Sequence, residues 1–392
     1  ALSRGEQVSA VWMVTAAVSV YCIAYRFYSL YIAKYVMQLD PNRLTPAERH
    51  NDGLDYVPTH KGVLFGHHFA AIAGAGPLVG PVLAAQMGYL PGTLWIIFGV
   101  VFAGAVQDMM VLFVSMRRDG KSLGDIVKQE LGTVPGVIAS IGILMIMVII
   151  MAVLALIVVK ALVHSPWGTF TIAATMPIAL FMGIYTRYIR PGKIGEISIV
   201  GFILLMLAVI YGDNVAHSSI GHWFDLDGIQ LTWAIMIYGF VASVLPVWLL
   251  LTPRDYLSTF LKIGTIVALA IGILIVSPAL QMPAVTHFID GSGPVFSGAL
   301  FPFLFITIAC GAVSGFHALI SSGTTPKMLE NETHVRMIGY GGMLMESFVA
   351  IMALAAAASL DPGVYFAMNS PAALIGTDAN TAAEVITTKL QF

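Results

Sequence analysis

The chain has 392 residues, of which 58% are hydrophobic and only 10% are charged. Soluble domains carry about 25% charged residues, so this composition indicates an integral membrane protein. The formal net charge of −2 gives no indication of nucleic-acid binding. The two cysteines, Cys22 and Cys310, both lie in apolar stretches, which argues against a disulfide framework and against a paired-cysteine metal site.

Apolar runs long enough to cross a bilayer recur about ten times, which predicts an all-α polytopic membrane protein. No linker is long enough to separate a soluble domain, so residues 1–392 are predicted to form a single membrane domain. The polar start and the lack of a closing element indicate an internal portion of a longer chain, with further helices before and after. The predicted spans are 8–37, 63–88, 93–115, 134–163, 169–186, 194–211, 229–251, 254–276, 299–322 and 337–360.

Basic residues are distributed unevenly between the two sides of the predicted membrane. Fourteen of the 19 Lys and Arg residues fall in alternate connections, on what is called the basic side below. Only Arg4, Lys160 and Lys389 fall on the opposite side, and Arg26 and Lys34 lie within the first span. The positive-inside rule therefore places the basic side in the cytoplasm.

The stretch 66–86, GHHFAAIAGAGPLVGPVLAAQ, has the hydropathy of a membrane helix but a poor helical sequence in its middle. Glycine costs about 1 kcal/mol and proline about 3 kcal/mol in a helix interior, so a break is predicted. Discontinuous helices of this kind build the substrate sites of many secondary transporters, whereas the alternative is a kinked structural helix packed through small residues. The candidate substrate-binding residues are Gly74, Gly76, Pro77 and Gly80.

A second interrupted span, 299–326, contains small and hydroxyl side chains around its middle and towards its basic end. Ser314, Ser321 and Ser322 are candidate substrate-binding residues, and Thr324 is a candidate ion-coupling residue. Close helix packing is the alternative explanation of these small residues. Ser243 joins the substrate-binding candidates because Pro246 frees a backbone carbonyl about one turn earlier, although a simple proline kink also explains that sequence.

Ionisable residues inside membrane spans are functional candidates because burying a charge there is costly. The candidates for proton or ion coupling are His67, His68, Asp108, His317 and Glu346. Structural explanations remain open for each: a histidine hydrogen-bonded to backbone at the interface, or a carboxyl paired with a neighbouring helix. A metal or haem site would need His317 in addition to His67 and His68.

Four long motifs resemble the carbon starvation protein A (CstA) family over essentially the whole chain. They are GHHFAAIAGAGPLVGPVLAAQMGYLPG, AGAVQDMMVLFVSMRRDGKSLGDIVKQELG, LPVWLLLTPRDYLSTFLKIG and FPFLFITIACGAVSGFHALISSGTTPKMLENE. The resemblance implies a bacterial inner-membrane transporter used on carbon starvation, either a peptide permease or a pyruvate–proton symporter. It also implies a LeuT-like (APC-type) fold with inverted repeats and discontinuous helices, in which counting makes 66–86 core helix one, 229–251 core helix six and 299–322 core helix eight.

These observations together predict a membrane transport domain that is not an enzyme and holds no cofactor. The predicted activity is import of a small carboxylate, most specifically pyruvate, by proton symport, with Na⁺ as the alternative coupling ion and with membrane lipids as partners. The shortage of deep charges favours a small anion over a peptide, which needs partners for both termini. Di- or tripeptide uptake by the same fold is the alternative, and a haem- or metal-bearing membrane enzyme is the alternative of another class.

Overall fold

The computed structural model describes residues 8–376, 381 and 384–390, and this part of the chain is helical without any β-strand. Two isolated β-bridges, Ser9 with Ala279 and Thr59 with Leu329, join connections. The predicted all-α class is therefore confirmed. Arg4, which the charge count placed on the less basic side, lies outside the described residues, as does the side chain of Lys389.

The first half of the chain forms eight helices. They are α1 (Ala10–Val36), α2 (Lys61–Ile72), α3 (Gly76–Met87), α4 (Tyr89–Arg117), α5 (Leu123–Leu131), α6 (Thr133–Leu162), α7 (Pro166–Ile189) and α8 (Ile194–Ala216). A short helical turn, Pro46–Arg49, precedes α2. Several long helices contain a π-helical turn, such as Val100–Gly104 within α4.

The second half is more broken. It contains α9 (Gly228–Val244), α10 (Leu251–Val276), α11 (Gly315–Ser322), α12 (Arg336–Ala358) and α13 (Pro362–Asn369). The short pieces Leu300–Leu304, Phe305–Thr307 and Ala309–Ala312 precede α11, and Ala372–Ile375 and Ile386–Leu390 follow α13. Asp227 begins α9 with a reciprocal capping box to Gln230.

Seven helices of the described residues are long and apolar enough to cross a membrane: α1, α4, α6, α7, α8, α10 and α12. The bent pair of α2 and α3 makes an eighth span if it counts as one. The predicted number of about ten is not confirmed, because α9 has only 17 residues and 299–322 is divided into short pieces. Both departures fall where proline, glycine or serine interrupts an apolar run.

The connections on the basic side contact one another. The Tyr56 hydroxyl donates to the carbonyl of Asp119 at 3.0 Å, and the Val57 N–H donates to the carbonyl of Lys327 at 3.2 Å. The Trp248 indole N–H donates to the carbonyl of Gly53 at 3.0 Å. These loops, which lie far apart in the sequence, thus share one end of the molecule, as the alternating charge pattern requires.

Burial separates an inner set of helices from a flank. Within its apolar window, α12 has 78% of its residues buried, whereas α6 has none. The side chains of α6 are apolar all round, which is typical of a helix surrounded by hydrocarbon or by other helices. Helices α2, α3, α4, α11 and α12 pack together, and this inner set carries the buried ionisable residues.

Candidate functional site

The first predicted break occurs between α2 and α3, which are bent by 45°. Ala73 leaves the helical conformation with ψ at 67°, and the Gly74 N–H bonds the Ile72 carbonyl in a tight turn. Gly76 begins α3, and Pro77 stands in its first turn, where a missing N–H costs nothing. The glycine and proline content therefore does produce a discontinuous helix.

The second break occurs at Val313 and Ser314, which are extended and separate Ala309–Ala312 from α11. The two breaks are adjacent in space. A Cβ placed on Gly76 would lie 2.7 Å from Cys310 Sγ, so only glycine permits this approach. The two discontinuous segments thus meet where the first turns of α3 contact residues 307–310.

A buried triad lies beside the second break. His317, on α11, has its Nδ1 3.0 Å from Asp108 Oδ2 on α4 and its Nε2 2.9 Å from Glu346 Oε2 on α12. All three side chains are 0% exposed. The Cys310 thiol donates to Glu346 Oε1 at 3.3 Å. The sequence separation of Asp108 from Glu346 gives no hint that one histidine stands between them.

The triad has an unusual charge requirement. Both ring nitrogens of His317 can donate only as imidazolium, and an imidazolium between two carboxylates leaves a net charge of −1. Asp108 Oδ1 is buried without a hydrogen-bond partner. Because an uncompensated buried charge is costly, this arrangement favours the uptake of one more proton. The cluster can therefore exchange between a charge of −1 and neutrality by binding a single proton.

The two adjacent histidines of α2 have separate partners. His68 Nδ1 lies 2.9 Å from the Thr325 hydroxyl, just beyond α11, and both residues are 0% exposed. His67 Nδ1 lies 3.0 Å from Asp255 Oδ2 on α10. Each histidine thus joins the first discontinuous helix to a different neighbour, one near the second break and one on the flank.

The hydroxyl candidates of α11 lie along one path towards the basic side. Ser321 is fully buried, and its hydroxyl has no hydrogen-bond partner. Ser322 and Thr324 line a pocket of about 260 Å³ together with Lys327. Ser314 sits at the second break itself, where its carbonyl accepts a hydrogen bond of 2.6 Å from Gln107.

Two substrate-binding candidates differ from this arrangement. Ser243 is exposed near the end of α9, and its hydroxyl donates to the Phe240 carbonyl of the same helix. The structure therefore does not bring Ser243 to the meeting point of the breaks, because α9 packs on α6 in the flank. Gly74 is exposed, and a Cβ built on it would meet nothing within 4 Å, so open space surrounds the first break there.

Sequence reasoning missed several participants. Cys310 was not among the candidate residues, yet its thiol contacts Glu346. Thr325, Gln107 and Lys262 were not singled out, although each donates to, or contacts, a group at one of the breaks. For Gln107 a signal existed, because it directly precedes Asp108 within an apolar helix. For the others only the tertiary contact shows the role.

The metal-ligand candidates are not assembled as the alternative hypothesis requires. His67, His68 and His317 face three different partners. Within the described ranges, the one grouping of potential ligand atoms is Cys310, His317 and Glu346, whose ligand atoms lie within 4.8 Å of one another. That grouping shares His317 and Glu346 with the buried triad, so a metal and a proton would compete for it.

The observed fold and site define a helical, polytopic membrane protein with two discontinuous helices and a buried acid–histidine–acid triad where they meet. Residues 9–392 match the carbon starvation protein CstA family, so the chain belongs to that family. The resemblance identified from the four motifs is thereby confirmed.

This chain is similar to relatives that are named either as peptide transporters or as a pyruvate/proton symporter. A "Peptide transporter CstA" from Escherichia coli (strain K12) is 70% identical over 376 residues, covering 96% of this chain and 54% of the relative. A "Pyruvate/proton symporter BtsT" from the same organism is 66% identical over 377 residues, covering 96% of this chain and 53% of the relative. A "Peptide transporter CstA" from Campylobacter jejuni is 63% identical over 390 residues, with 98% and 55% covered.

The chain spans about half the length of the curated relatives it matches. No solved structure matches it.

Proposed function

We propose that this protein is a proton-coupled secondary transporter of the bacterial inner membrane that imports a small carboxylate during carbon limitation, with pyruvate as the first candidate. The observation that carries the proposal is the position of His317 between two fully buried carboxylates, Asp108 and Glu346, beside the meeting of two broken helices. A group that changes charge by one proton, and that joins three helices, couples protonation to helix movement.

The triad can link proton binding to helix movement because its three residues lie on three different helices. Asp108 is on α4, His317 is on the short helix α11, and Glu346 is on α12. With one proton fewer, the buried cluster keeps a net negative charge, which favours an arrangement that admits water or a cation. Proton binding neutralises the cluster and permits the three helices to pack without solvent. In this proposal, proton binding and release switch the transporter between its outward-open and inward-open states.

The substrate site in this proposal lies at the first break. The first turn of α3 offers the N–H of Gly76, because Pro77 has no N–H and the next two N–H groups bond the Ala75 carbonyl. The positive end of the helix dipole at this N-terminus also favours a carboxylate. The buried hydroxyls of Ser321 and Ser322 continue from the second break towards the pocket of about 260 Å³ on the basic side. In the proposed cycle this pocket is the cytoplasmic exit.

We extend the proposal to the fold, as a LeuT-like transporter built from inverted repeats. Support comes from the pairing of two discontinuous helices at their breaks, which is how such folds form their sites. The segment 300–322 serves as the second discontinuous helix in this scheme. It replaces 229–251, which counting assigned to core helix six, since α9 is an unbroken helix in the flank.

Peptide uptake is the second candidate, favoured by the similarity to relatives named as peptide transporters. A peptide has an ammonium terminus as well as a carboxylate, and the triad at a net charge of −1 would attract that ammonium. In that case one buried cluster would have to serve both the proton and the substrate.

The test is uptake of labelled pyruvate and of a labelled dipeptide into proteoliposomes, each with and without an inward proton gradient. Gradient-dependent pyruvate uptake that excess dipeptide does not reduce is the expected result. Dipeptide uptake without any response to pyruvate would replace pyruvate by peptides. If neither compound accumulates, with or without the proton gradient, the proposed function is wrong. Glu130→Gln, an exposed position on α5, serves as a variant that keeps wild-type uptake.

A further inference from the structure

One face of α10 carries a row of polar residues that contacts α2 along its length. Asp255 meets His67, as described above, and the Thr259 hydroxyl donates to the carbonyl of Gly66 at 2.7 Å. Lys262 follows at the next position on this face, since residues spaced by three and four share one side of a helix. A continuous polar contact of this kind fixes α10 against the first discontinuous helix.

Lys262 ends the row at the break itself. Its Nζ donates to the carbonyls of Ala70 and Ala73, at 2.8 Å each. The sequence leaves both carbonyls without their normal helical partners. The amide that would bond Ala70 is that of Gly74, which bonds Ile72 instead. The residue that would bond Ala73 is Pro77, which has no N–H.

This position is where a transporter with a discontinuous helix holds its coupling cation. The C-terminal end of a half-helix carries partial negative charge, and carbonyls freed by unwinding coordinate Na⁺ in such folds. Here an ammonium on a neighbouring helix already lies between the two freed carbonyls. Among the described residues, the Ser314 carbonyl at the second break accepts a hydrogen bond from the neutral amide of Gln107 and not from an ammonium.

We propose that the Lys262 ammonium is a built-in cation, which takes the place of a bound Na⁺ at the end of α2 and makes transport independent of Na⁺. This inference deepens the proposed transport function and rests on it. It gives Lys262 a positioning role: the ammonium holds the end of the first half-helix in place while the proton-binding triad changes charge. Removal of the side chain leaves a vacant cation site lined by the two carbonyls.

The test compares Lys262→Ala, which empties the site, with Lys262→Met, which fills it with an uncharged side chain. The full-length proteins are reconstituted, and uptake is measured in NaCl and in N-methylglucamine chloride under the same proton gradient. Wild type is expected to take up substrate equally in both salts. Lys262→Ala is expected to lose about tenfold in N-methylglucamine and to recover severalfold in Na⁺, within the usual range of coupling effects. Lys262→Met is expected to stay low in both.

A second measurement does not depend on transport. The thermal unfolding midpoint of each purified protein is recorded in NaCl and in choline chloride, since a ligand that binds only the folded state raises it. Na⁺ is expected to raise the midpoint of Lys262→Ala alone. If no substrate is transported by wild type, the proposed function fails, and this measurement still decides the cation site. Lys160→Ala, an exposed lysine at the end of α6, is the matched control.

Three results would overturn the inference. The first is a requirement for Na⁺, or stabilisation by Na⁺, in the wild-type protein. The second is wild-type uptake by Lys262→Met. The third is a folded Lys262→Ala that is indifferent to Na⁺ in both measurements. If Lys262→Ala does not fold, Lys262→Arg replaces it: uptake retained by Arg and lost by Met supports the built-in cation, and equal uptake by both refutes it.

Discussion

The two discontinuous helices contact each other, yet their free backbone groups are satisfied in opposite ways. At the first break a charged side chain, Lys262, comes from the flanking helix α10 and bonds two carbonyls. At the second break a neutral amide, Gln107, comes from the inner helix α4 and bonds one. The difference indicates that the two breaks have different roles. The first break is held by a fixed charge, whereas the second lies beside the triad that we propose as the proton-binding group.

The neighbours of the second break support our proposal that the proton site lies there. Gln107 and Asp108 are adjacent in sequence, so the residue that ties down the break and the residue that contacts His317 move together. Lys262 is not adjacent in sequence to any residue of the triad, although its charge interacts electrostatically with Glu346. If this comparison is right, variants at the first break change positioning and ion preference, and variants at the second change coupling to the proton gradient.

Gly80→Ala would separate the two breaks from each other and has the largest expected effect. A Cβ at Gly80 would overlap the backbone carbonyl of Thr307, and backbone cannot move aside as a side chain can. The two discontinuous segments would be forced apart, and uptake in proteoliposomes is expected to fall about a hundredfold, because displacements of this order cost that much in a preorganised site. Gly239→Ala, at an exposed position of α9 in the flank, is the matched control, because a Cβ there meets nothing within 4 Å. Equal uptake by the two variants would contradict the contact between the breaks.

His317→Gln affects the second break only and is expected to separate coupling from transport. Two buried carboxylates left without their cation cost about 3–5 kcal/mol, so they will hold protons permanently. Accumulation of substrate driven by a proton gradient is expected to disappear, while exchange of labelled for unlabelled substrate is retained. Both activities are measured on one preparation of vesicles. Gradient-driven accumulation at the wild-type level would show that the triad is not the coupling site.

Gln107→Met removes the hydrogen bond from Gln107 to the Ser314 carbonyl, and a smaller loss of uptake is expected. The change keeps the length of the side chain but leaves the Ser314 carbonyl without its donor, which costs about 1–3 kcal/mol when the group is buried. The thermal unfolding midpoint in detergent is expected to fall, and uptake is expected to decrease less than in Gly80→Ala. Gln281→Met, at an exposed position, provides the comparison. An unchanged midpoint would mean that this bond does not hold the break.

Asp52→Ala has the smallest expected effect, on the loop that leads to α2. The pKa of the Asp52 carboxyl is lowered by the N–H of Leu54 first, and by those of Tyr56 and Asp55. Because the pKa in the folded state is depressed, the stabilisation is complete above the ordinary pKa of about 3.9 and is lost as the pH falls through the lower folded value.

The readout for Asp52→Ala is hydrogen exchange of the amides of residues 54–56. These amides donate to the carboxylate at distances between 2.8 and 3.0 Å. Exchange is expected to become severalfold faster in the variant near neutral pH, without any change in uptake. A loss of uptake comparable to that of Gln107→Met would mean that the loop on the basic side takes part in the cycle.

Local sequence was sufficient for the first break and for the membrane class. Glycine and proline are unfavourable in a helix wherever it is placed, so the interruption at 73–75 follows from the backbone alone. The long apolar runs likewise determine that most of the chain crosses a membrane, because hydropathy is a property of each segment. The alternation of basic loops grouped connections that the structure brings together at one end of the molecule.

The partners of the ionisable residues were decided only by the tertiary structure. Asp108, His317 and Glu346 were each predicted as candidates, but their order around one histidine depends on the packing of α4, α11 and α12. Ser243 was predicted as a substrate-binding residue from its local sequence, but the structure places it in the flank, away from both breaks. Lys262 was not among the candidate residues, although it binds two carbonyls that lie 192 and 189 residues earlier in the chain. The sequence by itself determined the all-helical membrane class and the place where one segment breaks. Only the tertiary structure decided which charges meet, because contacts between distant helices depend on packing that no local pattern encodes.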